Sequence, residues 1–177
     1  ERDVAPYAHA LEAKDEYPHE IVERMKELGL FGATIGEEWG GLGLDVSTYT
    51  KIVERVSAVW MSVSGIFNSH LIMAAAVERF GTEDQKKRYL PRFATGELRG
   101  GIALTEPDAG TDLQGIRTRA EKSGDGYVLN GTKTWISNSI QGQILAVLTK
   151  TDPKAEPAQK GRSLFLGEKG DHFRVTR

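Results

Sequence analysis

The hydrophobic period of this chain changes at Gly100, and that change limits the folds open to it. Before Gly100, large apolar residues recur three or four apart; after it they alternate with polar ones. "PHEIVERMKELGLFG" opens with Pro18, suited to a first helical turn. It spaces Ile21, Met25 and Leu28 on one face and offers Gly29 as a stop. Ile52, Val56, Val59, Val63 and Phe67 repeat at the same interval, flanked by Val53, Trp60 and Ile66. "HLIMAAAVERFG" is apolar on most faces and predicts a buried helix. Thr82 and Gln85 form a capping-box pattern ahead of another helix. Beyond Gly100, "IRTRAEKSGDGYVLNGTKTWIS" alternates, with turn signals at Gly124–Gly126 and a hairpin cue at Asn130-Gly131. "QILAVLTKT", "RSLFLGEK" and "HFRVTR" read as further strands, and "DPKAEPAQKGR" as a polar loop. The expectation is an α+β multidomain arrangement: a helical domain over residues 1–100, then a partial β-barrel-like domain over 101–177, joined near Glu97–Gly101.

Several chemistries are excluded or disfavoured. The chain has no cysteine, so it has no disulfide, thiolate nucleophile or cysteine-ligated metal. His9, His19, His70 and His172 lie far apart, and no metal site is expected. A formal charge of -2 gives no reason to expect nucleic acid or an anionic membrane as partner. No run of eighteen apolar residues and no signal peptide is seen, which fits a cytoplasmic or organelle-matrix setting. The chain opens without Met and stops just after a reading of strand, so a fragment of a longer protein is expected.

The segment "GIALTEPDAGTDL", Gly101–Leu113, is not ordinary loop filler. Pro107 and Gly110 bend the backbone, so that N–H groups can point outward, and Thr105 and Thr111 add hydroxyls. Such a loop suits the edge of a flat polar ring, or a phosphate reached by N–H groups; an ordinary turn remains open. Neither "GxxxxGK[ST]" nor "GxGxxG" is present. In "GTKTWISNS", Trp135, Ile136 and Ser137 are expected on a strand, with Trp135 either in the core or along an aromatic cofactor.

At these residues the chain resembles the acyl-CoA dehydrogenase family. "EEWGGLGLD", "FGTEDQKKRYLPRFATGE", "ALTEPDAGTDL", "YVLNGTKTWISN" and "FLGEKG" follow family order across nearly the whole chain. The resemblance implies a helical N-terminal domain, a β-barrel-like middle domain, and a C-terminal helical domain that this chain does not reach. It implies FAD as cofactor. Ile102, Ala103, Leu104, Thr105, Gly110 and Thr111 match the segment along the flavin, and Trp135, Ile136 and Ser137 match a second flavin-facing triplet. Thr105 would meet the pyrimidine side of the ring and Ser137 its N5 and O4. The Thr111 hydroxyl would reach the pyrophosphate, and its main chain the substrate.

The implied reaction is oxidation of an acyl-CoA thioester to the 2,3-enoyl-CoA, with α-proton abstraction by a carboxylate and β-hydride transfer to flavin N5. Electrons would pass to an electron-transferring flavoprotein. A homotetramer or homodimer in bacterial cytoplasm or mitochondrial matrix is expected. No catalytic residue is assigned within this chain, because the family's catalytic glutamate lies in the absent domain; the fragment is expected to be inactive, and Glu106 reads as structural. Met61 stands where members acting on glutaryl-type thioesters carry arginine, which favours an uncharged acyl group. The alternatives are an acyl-CoA oxidase or flavin monooxygenase of the same fold, or a non-catalytic acyl-CoA-binding scaffold.

Overall fold

A computed structural model describes residues 2–176. The chain divides into two compact units, Glu1–Arg99 and Gly100–Arg177. The first is helical and the second is built on a sheet, the fold class that the change of period predicts.

The helical unit contains α1 (Ala5–Ala13), α2 (His19–Glu27), α3 (Val46–Phe80) and α4 (Glu83–Ala94). Pro18 precedes α2 as its N-cap, and Gly29 follows the helix with φ 71°, a left-handed conformation that glycine adopts without steric cost. Ile21, Val22 and Met25 are buried on α2, whereas Leu28 at the C-cap is exposed. At α4 the Thr82 hydroxyl accepts from the Gln85 N–H while the Gln85 side chain accepts from the Thr82 N–H, so the capping box is reciprocal. The core gathers round the second half of α3. Val63, Phe67, Leu71, Met73 and Ala74 pack in the same buried core as Phe31 and Ile35 of the loop after α2 and Leu90 and Phe93 of α4. His70, wholly buried, stands edge-on to Phe31 and Phe93, and its Nε2 is 3.1 Å from the Phe93 carbonyl oxygen.

Two features of α3 depart from the periodicity. Trp60 has φ −159° and ψ 105°, so the element is two helical stretches joined across a kink. The Ser57 hydroxyl donates to Ser64 across the break and Ser64 donates to the Met61 carbonyl, so side chains brace what backbone bonds do not. The apolar run after His70 is also less buried than expected: Ile72 and Phe80 are exposed. By length and composition α3 could cross a membrane, but half of its apolar window is buried inside the unit.

"EEWGGLGLD" forms a hairpin-like return. Leu42, Gly43 and Leu44 donate backbone bonds to the carbonyls of Gly32, Ile35 and Ala33. A Cβ on Gly41 would stand 2.1 Å from the Ile35 carbonyl oxygen, so this approach admits only glycine.

The second unit is a five-stranded mixed sheet. Its strands are β1 (Gly100–Ala103), β2 (Arg119–Ser123), β3 (Gly126–Asn130), β4 (Ile144–Lys150) and β5 (Arg162–Glu168). β4 pairs in parallel with β1 and antiparallel with β5, and at its far end Lys150 pairs with Arg119 of β2. Its buried positions, Ile144, Leu145, Ala146 and Thr149, follow from neighbours on both edges. β2 and β3 form a hairpin turned at Gly124-Asp125.

Three sequence expectations fail here. Asn130-Gly131 makes no hairpin turn. β3 ends at Asn130, and Gly131 instead lies against Thr118, where an added Cβ would come within 2.3 Å of Oγ1. Trp135, Ile136 and Ser137 are on no strand, because the chain from Gly131 to Gln143 is irregular. Residues 172–176 carry no strand either, since no neighbour among the described residues pairs with them; Arg177 lies outside the described residues.

Candidate functional site

β1 delivers Ile102 half-buried and Ala103 buried beside β4, and the chain leaves the sheet at Leu104. Glu106 and Ala109 then exchange backbone bonds of 2.8 and 3.2 Å, closing a tight turn over Pro107-Asp108. Pro107 suits such a turn because its φ is preset. Gly110 and Thr111 follow, both exposed, with open space where a Gly110 side chain would project. Asp108 pairs with Arg117 at 3.1 Å, but both are exposed and the pair contributes little.

Glu106 is the buried centre of this loop. Its Oε1 accepts from Lys133 Nζ at 2.8 Å and from the Thr118 N–H at 3.0 Å, and its Oε2 from the Arg117 N–H. Lys133 Nζ also donates to the Leu104 carbonyl at 2.9 Å. The side chains of Lys133 and Glu106 are only 10% and 5% exposed, so the pair is nearly dry. Burial would push the Glu106 carboxyl up, but donation from Lys133 and Thr118 and from the Arg117 N–H outweighs it and holds the group at about 2. Burial lowers the Lys133 ammonium, and Glu106 pulls it back towards its ordinary value. Three donors engage the two oxygens of Glu106 and hold its carboxylate within the loop.

The Thr134 N–H donates to the Thr105 carbonyl at 2.9 Å. Leu104–Glu106 and Lys133–Thr134 are thus joined by three bonds, and the two segments singled out in the sequence are neighbours. Trp135 follows at once with φ 57° and an exposure of 93%. It is not a core residue. Asn138, also left-handed at φ 64°, donates from Nδ2 to the Gly100 carbonyl at 2.7 Å and anchors the far end of the loop to β1. Between these anchors Ile136 is half-buried and Ser137 exposed. Among the described residues, no hydrogen bond joins Gly110 or Thr111 to this loop.

Sequence reasoning passed over Lys133 and Asn138, although both lie in quoted segments. The signal available for Lys133 was a single cation in a run of threonine and apolar residues, which side-chain burial alone could promote.

The arrangement has the properties of a ligand edge rather than of packed core. A non-glycine left-handed backbone costs roughly 1–2 kcal/mol, and Trp135 adopts it while keeping its ring in solvent. Ser137 follows this ring two residues on, the Thr134 N–H bond brings Thr105 to the residue before it, and the Thr134 hydroxyl is buried without a hydrogen-bond partner. A flat heteroaromatic group with a polar edge suits that combination.

A helical unit followed by a mixed sheet, with this seam at the exit of β1, defines the N-terminal portion of the acyl-CoA dehydrogenase architecture. Residues 1–97 match the family model of the acyl-CoA dehydrogenase N-terminal domain and residues 101–177 that of the middle domain; the chain belongs to the acyl-CoA dehydrogenase family. It is 40% identical over 167 residues to (2S)-methylsuccinyl-CoA dehydrogenase of Cereibacter sphaeroides, covering 94% of this chain and 30% of that protein. Among solved structures it is similar to acyl-CoA dehydrogenase from Geobacillus kaustophilus, with TM-score 0.86 and 38% identity, covering 94% of this chain and 44% of that one. It is also similar to an acyl-CoA dehydrogenase complexed with FAD from Bacillus anthracis, with TM-score 0.82 and 37% identity, covering 94% and 28%. The chain therefore spans less than half the length of these relatives.

Proposed function

We propose that the protein to which these residues belong is a FAD-dependent acyl-CoA dehydrogenase that converts an acyl-CoA thioester to the 2,3-enoyl-CoA. The observation that carries this reading is the three-bond seam between Leu104–Glu106 and Lys133–Thr134, which sets an exposed Trp135 beside the Thr105 segment. The residues present fit FAD: a bare aromatic ring on a strained backbone, hydroxyls at Thr105 and Ser137, and an open turn at Gly110-Thr111. When bound, FAD supplies the acceptor for the β-hydride.

The chain's own residues would bind and orient. The carbonyls of Leu104 and Thr105 each accept one bond, from Lys133 and Thr134, which fixes the backbone here and leaves the Thr105 hydroxyl among the donors offered to a ligand. Donors at the pyrimidine end stabilise negative charge as a flavin ring gains electrons. Ser137 would meet N5 and O4 along the same edge, and the half-buried Ile136 with Trp135 would exclude water from it. Thr111 would offer its hydroxyl to the pyrophosphate and its main chain to the thioester, with Ile102, Ala103 and Gly110 shaping the same edge. Glu106 is committed to Lys133 and two backbone N–H groups, so the base that removes the α-proton comes from elsewhere in the enzyme.

An uncharged acyl group is the proposed substrate, because Met61 is an exposed apolar side chain where a partner for a distal carboxylate would be needed. An electron-transferring flavoprotein as acceptor, assembly as a homotetramer or homodimer, and residence in bacterial cytoplasm or mitochondrial matrix complete the proposal. Purified full-length enzyme should be yellow, and should turn over acyl-CoA thioesters bearing uncharged acyl groups with the flavoprotein acceptor and slowly with oxygen alone. A colourless preparation unable to take up FAD overturns the flavin assignment. Rapid turnover with oxygen alone overturns the acceptor, and a preference for methylsuccinyl-CoA overturns the substrate class.

A further inference from the structure

The exposed Trp135 ring has no packing to fix it, so its position depends on the main chain that precedes it. That main chain is held by Lys133, whose ammonium bonds at once to the Leu104 carbonyl and the Glu106 carboxylate. Glu106 cannot move with Lys133, because the N–H groups of Arg117 and Thr118, just ahead of β2, hold its carboxylate. Three segments therefore meet at one dry ion pair, and two of them flank the residues that would face a flavin. A buried ion pair is weak evidence of stabilisation, since well-packed apolar groups often do as well; what this pair adds is direction, through four donated bonds joining three segments.

We propose that Glu106 and Lys133 are a positioning pair, fixing the register of Leu104-Thr105 against Thr134-Trp135 and so the edge that a flavin ring meets. The inference rests on the flavin-linked reading above. Neither residue would touch the ring; both act through the backbone and through Trp135.

The test uses the full-length enzyme with Lys133→Met alone and with Glu106→Gln and Lys133→Met together. The single variant leaves a buried carboxylate unpaired and should melt well below the parent. The double variant leaves no charge uncompensated and should recover most of that loss. Both should bind FAD about tenfold more weakly or worse, the equivalent of one or more lost hydrogen bonds. Both should also show a shifted visible absorption band of the bound flavin, and faster exchange of the Thr134 amide proton in the apoprotein. A double variant that regains parental FAD affinity and band shape along with its stability overturns the inference, because the pair would then be structural only. Unchanged FAD affinity in both variants overturns it as well, as does a double variant that fails to fold. A parent enzyme that takes up no FAD removes the flavin reading itself and this inference with it.

Discussion

Trp135 shows how little a residue's chemistry says about its surroundings. A tryptophan between Thr134 and Ile136 could be core or ligand face, and the structure puts it in solvent on a left-handed backbone. Trp135→Ala in the present chain should therefore change stability by less than about 0.5 kcal/mol, as at other exposed positions, rather than the roughly 3–5 kcal/mol of a buried aromatic. Thermal unfolding of the isolated chain checks this. The same substitution should weaken flavin retention in the intact enzyme. Gly131 is the opposite case, since an exposed glycine proves intolerant. Its Cβ would meet the Thr118 main chain and hydroxyl at 2.3–2.6 Å, so Gly131→Ala should cost roughly 1–3 kcal/mol through forced backbone movement. A chemical denaturation midpoint equal to that of the parent would show that the contact can relax. Asn130-Gly131 is compatible with a hairpin turn, but the need for glycine there comes from Thr118, thirteen residues upstream.

Among the elements, α2 and α4 were legible because their signals are local. Capping residues, a stop glycine and a repeating apolar face lie within a dozen residues of one another. Thr82→Ala should remove the Gln85 N–H bond and cost about 1 kcal/mol, seen as a lower melting temperature, and Thr82→Ser should recover most of it. The break in α3 was not legible: Ile52 to Phe67 keep their interval, no proline intervenes, and the kink at Trp60 is braced by Ser57 and Ser64. Trp135–Ser137, within the irregular stretch from Gly131 to Gln143, depart from the expected strand for a related reason. Alternation suits a strand, but a strand also needs a partner, and the central β4 has no edge left to offer. β4 is already paired by β5 along one side and by β1 and then β2 along the other. The segment instead docks along β1, by its Thr134 N–H just beyond the strand's end and by the Asn138 side chain at its start.

In the chain as a whole, acid should act on the two units at different pH. His70 is buried against Phe31 and Phe93, and burial first of all lowers its value to about 4, with the Arg99 charge acting the same way. The unfolded chain binds this proton near 6.5 and the folded one only near 4. The helical unit therefore loses stability as pH falls from about 6.5 to 4, on the order of 3 kcal/mol in all. Glu106 is held at about 2, below its ordinary value, so its contribution is complete above about 4.5 and fades as pH falls from there to about 2. Tryptophan fluorescence and amide exchange resolved by residue should show the helical unit loosening first and the Glu106 seam later. His70→Gln should flatten the first step and leave the second. Simultaneous loss of both units at pH 3, with no change above it, would contradict the assignment of His70.

Order along the chain settled which half is helical, which half is sheet, and the family, since caps, periods and ordered motifs depend on residues close in sequence. Which polar groups share a dry contact was settled in three dimensions. Glu106 meets Lys133, twenty-seven residues on, only because β1 and the loop after β3 are brought to the same end of β4. A carboxylate and an ammonium attract at any separation in the chain, but only exclusion of water around a fixed backbone makes that attraction directional.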